Sequence, residues 1–247
     1  MELKDKVFVI TGAARGIGAE AARRFSGLGA HVAALDVNGE GLRSLEAESG
    51  GAVLGVKADI SNPVGVEDAF GAVVARFGGV DFLINCAVIR GNGPLAEVEE
   101  ATIDLALGVG LKGSILCAKR AAAEMKKRGG GAIVNMSSFY ARTPAKERVV
   151  YVAVKGGVEG LTRALAVELA DWNIRVNAIA AGPVLTKLRE SQGEGDPGNL
   201  AERYRKSPMG RFGRVDEVLD AMEYLVTPRS SFMTGQVLVL DGGLTIV

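Results

Sequence analysis

The stretch that most constrains this chain is Thr11-Gly12-Ala13-Ala14-Arg15-Gly16-Ile17-Gly18. An apolar run, Val7-Phe8-Val9-Ile10, precedes it, and an alanine-rich stretch from Ala19 to Leu28 follows. Strand, tight glycine turn and helix in that order point to an α/β chain. Glycine lets the backbone take a positive φ and lets a ligand approach where a Cβ would otherwise stand. The first helical turn adds unpaired N–H groups and the positive end of the helix dipole. Gly12, Arg15, Gly16, Ile17 and Gly18 are therefore a candidate cradle for a phosphate or pyrophosphate. The spacing G-x-x-x-G-x-G differs from the usual G-x-G-x-x-G dinucleotide fingerprint, so the turn needs support from its context.

That support comes from the next apolar run, His31-Val32-Ala33-Ala34-Leu35, which ends in Asp36. An acid about 20 residues beyond the glycine turn, at the end of the second strand, is where a dinucleotide fold binds the adenosine ribose hydroxyls. A carboxylate there accepts hydrogen bonds from the 2′- and 3′-OH and repels a 2′-phosphate. Asp36 thus favours NAD over NADP. Arg15 is the counter-signal, because a guanidinium pairs readily with phosphate.

Composition excludes several functions. Lys plus Arg number 29 and Asp plus Glu number 29, so no net positive charge draws the chain to nucleic acid or an anionic membrane. No apolar run approaches the roughly 18 residues of a membrane span. The opening Met1-Glu2-Leu3-Lys4-Asp5 has no signal-peptide pattern, and Cys86 and Cys117 form no C-x-x-C pair. A cytoplasmic protein is expected. The single histidine, His31, opens the second strand, at the sheet edge away from any ligand, so neither a Ser-His-Asp hydrolase nor a histidine-rich metal site is supported, and no metal is expected.

Strand and helix patterns alternate along the rest of the chain. Strands are expected at 6–11, 31–36, 52–58, 80–85, 132–137, 174–180 and 236–240. Helices are expected at 16–28, 40–49, from about 63 to 76, over 97–107 and 108–128, and at 149–171 and 215–226. Strands that are apolar almost throughout, separated by helices, build a parallel sheet covered on both faces. Right-handed crossovers make it doubly wound, so the fold class is α/β with a seven-stranded parallel sheet in one domain spanning 1–247. The polar, glycine-rich stretch 190–199 reads as part of a substrate lid at about 186–210 or as a plain surface loop.

Tyr151 and Lys155 stand at i and i+4 near the start of the long helix and share a face. Tyrosine, with a pKa of about 10, is a poor base at neutral pH, and a nearby ammonium favours its phenolate. The pair can then exchange a proton with a hydroxyl or carbonyl oxygen. Ser138, at the end of the fifth strand, can hold the same oxygen.

In these residues the chain resembles the short-chain dehydrogenase/reductase family, in its single-domain Rossmann form of about 250 residues. The resemblance runs end to end through Thr11–Gly18, Asp59-Ile60, Asn85-Cys86-Ala87, Ser138 with Tyr151 and Lys155, Gly182-Pro183-Val184-Leu185-Thr186, Pro208–Gly213, Thr234-Gly235-Gln236 and Asp241-Gly242-Gly243. It implies Tyr151 as general acid/base, Lys155 on the nicotinamide ribose and lowering the tyrosine pKa, and Ser138 on the substrate oxygen. It implies Asp59, with Ile60, near the adenine, Asn85 and Ala87 along the cofactor, and Val184 and Thr186 at the carboxamide. The implied reaction is hydride transfer between NAD(H) and a secondary alcohol or ketone. Alternatives are an NADPH-linked 3-oxoacyl thioester reductase and a non-catalytic nucleotide-binding relative. The family also commonly forms homotetramers.

The chain departs from the family at three places of consequence. Asn85-Cys86-Ala87-Val88 replaces the usual Asn-Asn-Ala-Gly, and Ala181 replaces a proline. Gly110 stands where an asparagine of the proton relay is usual, so a weakened or differently hydrated relay is expected. Phe139, Tyr140, Arg142, Thr143, Met209 and the lid are expected near the substrate. Arg142 reads either as an anion-pairing residue or as a solvated surface arginine.

Overall fold

The computed structural model describes residues 3–186 and 207–247, so most of the expected lid lies outside the described residues. Seven parallel strands run in the order β3-β2-β1-β4-β5-β6-β9. They are β1 (Val7–Thr11), β2 (His31–Asp36), β3 (Val53–Lys57), β4 (Phe82–Asn85), β5 (Gly131–Ser138), β6 (Ile174–Ala181) and β9 (Val237–Leu240). The expected doubly wound sheet is borne out. A separate two-stranded pair, β7 (Val184–Leu185) and β8 (Gly213–Arg214), was not expected.

Alternation along each strand divides the core between the two faces. Phe8 and Ile10 of β1 pack with Phe25, Leu42, Phe82, Ile84 and Met222. Val7 and Val9 pack on the other side with Leu35, Phe70, Leu83, Cys117 and Ile133. Helices α1 (Gly16–Gly27), α2 (Gly39–Glu48) and α7 (Val215–Val226) cover the first face, and α3 (Pro63–Phe77) and α5 (Gly113–Lys127) the second. Stacking of Phe8 on Phe25, with centroids 4.4 Å apart, seats α1 against the strand that feeds the glycine turn. His31 stacks on Phe77 at 5.1 Å, away from the site, as the sequence implies.

Helix α4 (Glu100–Leu107) continues through a π-helical turn, Gly108–Lys112, into α5. This run of 28 residues is long and apolar enough by composition to cross a membrane. Its α5 part instead buries Cys117, Ala118, Ala121, Ala122 and Met125 in the core against α3 and the sheet. Small residues facing a sheet raise hydropathy without forming the unbroken apolar run of a membrane span. Helix α6 (Val149–Glu168) then lies beside the π-turn and carries Tyr151 and Lys155.

Candidate active site

The strand order reverses between β1 and β4, which leaves a crevice beyond their carboxyl ends. Thr11 closes its floor: its buried hydroxyl accepts the N–H groups of Cys86 at 3.1 Å and Ala87 at 3.2 Å, joining the ends of β1 and β4. Gly12 has φ +67°, and a Cβ there would stand 2.7 Å from the Ala87 Cα. A Cβ on Gly18 would meet the Gly12 carbonyl oxygen at 2.3 Å, so that glycine is needed for the turn to close on its helix. Gly16, at φ +59°, has nothing within 4 Å of an added Cβ, and it lines the cleft. Packed backbone behind and open space in front fit a pyrophosphate against the start of α1.

One cleft brings together Gly12, Arg15, Gly16, Ile17 and Gly18 with Ser138, Tyr151, Lys155, Val184 and Thr186. These come from β1–α1, β5, α6 and β6–β7, elements scattered along the whole chain. Phe139, Tyr140 and Val88 line it too, whereas Arg142, Thr143 and Met209 do not. Met209 lies in an adjoining hollow with Pro183, Val184 and Asp241. Arg142 is held by Glu159 at 3.7 Å, and Glu159 also accepts from Ser137 Oγ at 3.1 Å. Of its two readings, the surface one fits.

Asp36, Asp59, Ile60, Asn85 and Ala87 stand outside this cleft. Asp36 flanks the turn: its Oδ2 accepts from the Ala14 N–H and its Oδ1 from the Asn38 N–H, both at 3.0 Å. These bonds fix the orientation of the Asp36 side chain at the end of β2. Asp59 caps its own turn by accepting from Ser61 N–H and Oγ at 2.9 and 2.7 Å, and Ile60 is buried against Gly113. Asn85 is buried and donates to Asn135 Oδ1 at 2.9 Å, while its own Oδ1 has no partner among the described residues.

The electrostatics of Tyr151 differ from the expectation. Burial raises its pKa above the ordinary tyrosine value; the hydrogen bond with Ser138, then Arg90 and Arg148, pull it part of the way back. Lys155 does not act on it as expected. Its ammonium is 5.8 Å from the Tyr151 ring centroid and donates to the Met136 carbonyl at 2.6 Å. Helical i, i+4 spacing sets a shared face, not where a four-carbon side chain ends. Burial pushes Lys155 itself down to about 8. Cys86 is pushed up to about 12 by burial, so it remains an unreactive thiol.

Residues 12–245 match the family model described as enoyl-(acyl carrier protein) reductase. The chain is 37% identical to D-threitol dehydrogenase of Mycolicibacterium smegmatis, over 99% of this chain and 94% of that protein. It is 36% identical to 3-oxoacyl-(acyl-carrier-protein) reductase of Thermotoga maritima over the full length of both. The chain belongs to the short-chain dehydrogenase/reductase family. Among solved structures, it resembles 7α-hydroxysteroid dehydrogenase complexed with NADH and 7-oxo glycochenodeoxycholic acid. That match has a TM-score of 0.92 and 28% identity, covering 98% of this chain and 95% of the other. Levodione reductase superposes with a TM-score of 0.91 at 30% identity, covering 99% of each chain. As a short-chain dehydrogenase/reductase, this protein is a hydride-transfer oxidoreductase that uses a nicotinamide cofactor.

The family's asparagine position is Gly110, within the π-turn. Its carbonyl accepts from Ser114 Oγ at 2.8 Å. A Cβ there would lie 2.5 Å from Val154 Cγ1, so the fully buried Val154 fills the space a side chain would need. Sequence reasoning missed this pairing, and it also missed Arg90, Asn92 and Arg148, which line the cleft. Arg148 stands three residues before Tyr151, and that proximity was the available signal.

Proposed function

We propose that this protein is an NAD(H)-dependent dehydrogenase of secondary alcohols, and reductase of the matching ketones, with Tyr151 as its general acid/base. The observation that carries this reading is the meeting of Ser138, Tyr151 and Lys155 in the cleft that begins at the glycine turn. The bound nicotinamide supplies a hydride donor or acceptor, and the chain supplies position and a proton path. Gly12, Arg15, Gly16, Ile17 and Gly18 hold the pyrophosphate, Asp36 the adenosine ribose, and Asp59 and Ile60 the adenine side. Asn85 and Ala87 line the cofactor, and Val184 and Thr186 hold the carboxamide. Ser138 holds the substrate oxygen, and Tyr151 takes the alcohol proton or returns it to the ketone. Lys155 keeps a cation under the site and binds the nicotinamide ribose.

Asp36 supports NAD over NADP, because its carboxylate, held by the Ala14 N–H of the glycine turn and by the Asn38 N–H beyond β2, would face a 2′-phosphate. The exposed apolar side chains Ile115, Val149, Val167 and Phe232 support a homotetramer, and two unpaired thiols support a cytoplasmic location. The test is turnover of secondary alcohols, ketones and a 3-oxoacyl thioester with NAD(H) and NADP(H) in parallel. NAD-linked alcohol or ketone turnover is expected. Activity confined to NADP(H) and the thioester would replace this reading with that of an acyl-thioester reductase.

A further inference from the structure

Strand β5 ends in Met136, Ser137 and Ser138. The first and last serve the site already described: the Met136 carbonyl accepts from Lys155 Nζ at 2.6 Å, and Ser138 lines the cleft with Tyr151. Ser137 is buried, and its hydroxyl faces α6, 3.1 Å from Glu159 Oε1 and 3.3 Å from the Lys155 carbonyl. Glu159 stands one helical turn beyond Lys155 and two beyond Tyr151, and it does not line the cleft.

The same Glu159 oxygen has a second partner, the Arg142 guanidinium at 3.7 Å. Arg142 closes the short turn Phe139–Ala141 that follows Ser138. Its N–H and that of Thr143 donate to the Phe139 carbonyl at 3.0 and 2.9 Å. Inside this turn the Tyr140 N–H donates to Ser138 Oγ at 3.2 Å. One carboxylate oxygen therefore holds the residue before Ser138 and the residue that closes the turn after it. Only 13% of the Glu159 side chain is exposed. A carboxylate so far out of water is costly unless it is paired, and an apolar side chain there would avoid that cost while holding neither partner. Having accepted the Tyr140 N–H, the Ser138 hydroxyl keeps a proton and a lone pair for a substrate oxygen, and the turn sets their direction.

We propose that Glu159 is a positioning residue for hydride transfer: through Ser137 and Arg142 it clamps the turn that aims the Ser138 hydroxyl at the substrate oxygen. This rests on the reading of Ser138 as the residue that holds that oxygen. Glu159 touches neither substrate nor cofactor and acts only through Ser138. A small displacement of that hydroxyl is enough to slow the reaction, since a misplacement of about 1 Å costs up to about 100-fold in rate.

The test is the rate of NADH formation in a single turnover, with enzyme in excess over NAD and with cyclohexanol, 2-octanol or meso-2,3-butanediol as the alcohol. Glu159→Ala should be slower by about tenfold or more, with NADH affinity within about twofold of wild type. Glu159→Gln keeps an acceptor for Ser137 and should stay within about threefold of the wild-type rate. Added to Ser138→Ala, the Glu159→Ala change should slow the reaction by no more than about twofold, because the residue it acts through is already gone. Ser137→Ala/Arg142→Gln cuts the same two ties from the other side; it should show the same loss, and it decides the matter if Glu159→Ala does not fold. A Glu159→Ala rate within about threefold of wild type, a glutamine variant no faster than the alanine one, or a full tenfold loss retained in the Ser138→Ala background would overturn the proposal while leaving the reading of Ser138 intact. Ser138→Ala at the wild-type rate, or a wild type inactive on all three alcohols, would instead remove that reading, and the proposal with it.

Discussion

Replacing Gly110 shows whether this glycine is a lost asparagine or one half of a packed pair. An added Cβ would sit 2.5 Å from Val154 Cγ1, against an ordinary carbon–carbon contact of about 3.5–4.0 Å. About 1 Å must be found, and Val154 is fully buried and, being β-branched, stiff at χ1. Overpacking of this kind costs about 1–3 kcal/mol. The helix-propensity gain on replacing glycine by alanine returns at most about 1 kcal/mol. Gly110→Ala should therefore destabilise by up to about 2 kcal/mol, a fall in Tm of a few degrees for a chain of this size. Val154→Ala alone should cost about 2 kcal/mol, chiefly through the cavity it leaves. In the double variant the new Cβ meets no branch and partly fills the cavity, so the costs should fall short of additivity by at least about 1 kcal/mol. The assay is urea unfolding of the four proteins, with Gly110→Asn and Gly110→Asn/Val154→Ala added for the pH–rate profile. Only the paired asparagine variant should fold like the wild type and shift that profile. A Gly110→Ala protein more stable than wild type, or strict additivity, would refute the packing argument. A turnover gain in Gly110→Asn alone would mark the glycine as a simple loss.

Asp36→Asn removes a charge and keeps an acceptor for the Ala14 N–H. At about 5 Å and an effective dielectric of about 20, a carboxylate–phosphate repulsion of roughly 3 kcal/mol disappears, so kcat/KM with NADP(H) should rise by up to roughly 100-fold. An unchanged coenzyme preference would show that Asp36 does not face the ribose. Lys155, held down to about 8 by burial, binds its proton less tightly folded than unfolded. The unfolded state then carries more protons between about pH 8 and 10.5, and stability rises with pH across that window. From pH 7 to 9.5 the gain is about 2 kcal/mol. The buried thiols Cys86 and Cys117, both pushed up to about 12, act in the opposite sense. The quantity to read is therefore the difference between wild type and Lys155→Met in urea unfolding, and a difference that does not vary with pH would contradict the burial argument.

Much of this architecture was legible because the strands are short apolar runs bounded by glycine, and their alternation already assigns Phe8 and Ile10 to one face and Val7 and Val9 to the other. The glycine turn was legible for a stronger reason, since Gly12 and Gly18 stand where a Cβ would strike backbone. The β7–β8 pair was not, because two residues per strand carry no periodic signal. Nor was the π-turn at Gly108–Lys112, which differs from α-helix by one hydrogen-bond step and leaves the apolar pattern intact. The meeting of Ser138, Tyr151 and Lys155 in one cleft followed from strand-end and helix-face reasoning, but the direction of the Lys155 ammonium did not. Arg90 and Arg148 were hidden in irregular segments, brought together by a single backbone bond and one close glycine contact.

The most direct test of the central claim is Tyr151→Phe, with NADH affinity and NAD-linked turnover measured on the same protein. The ring stays in place beside Tyr140 and only the hydroxyl is lost. Unchanged NADH binding with turnover reduced by about 100-fold or more is the expected result, that being the scale of a general acid/base contribution. Turnover within a few-fold of wild type would contradict the account, because the proton would then be moving through another group.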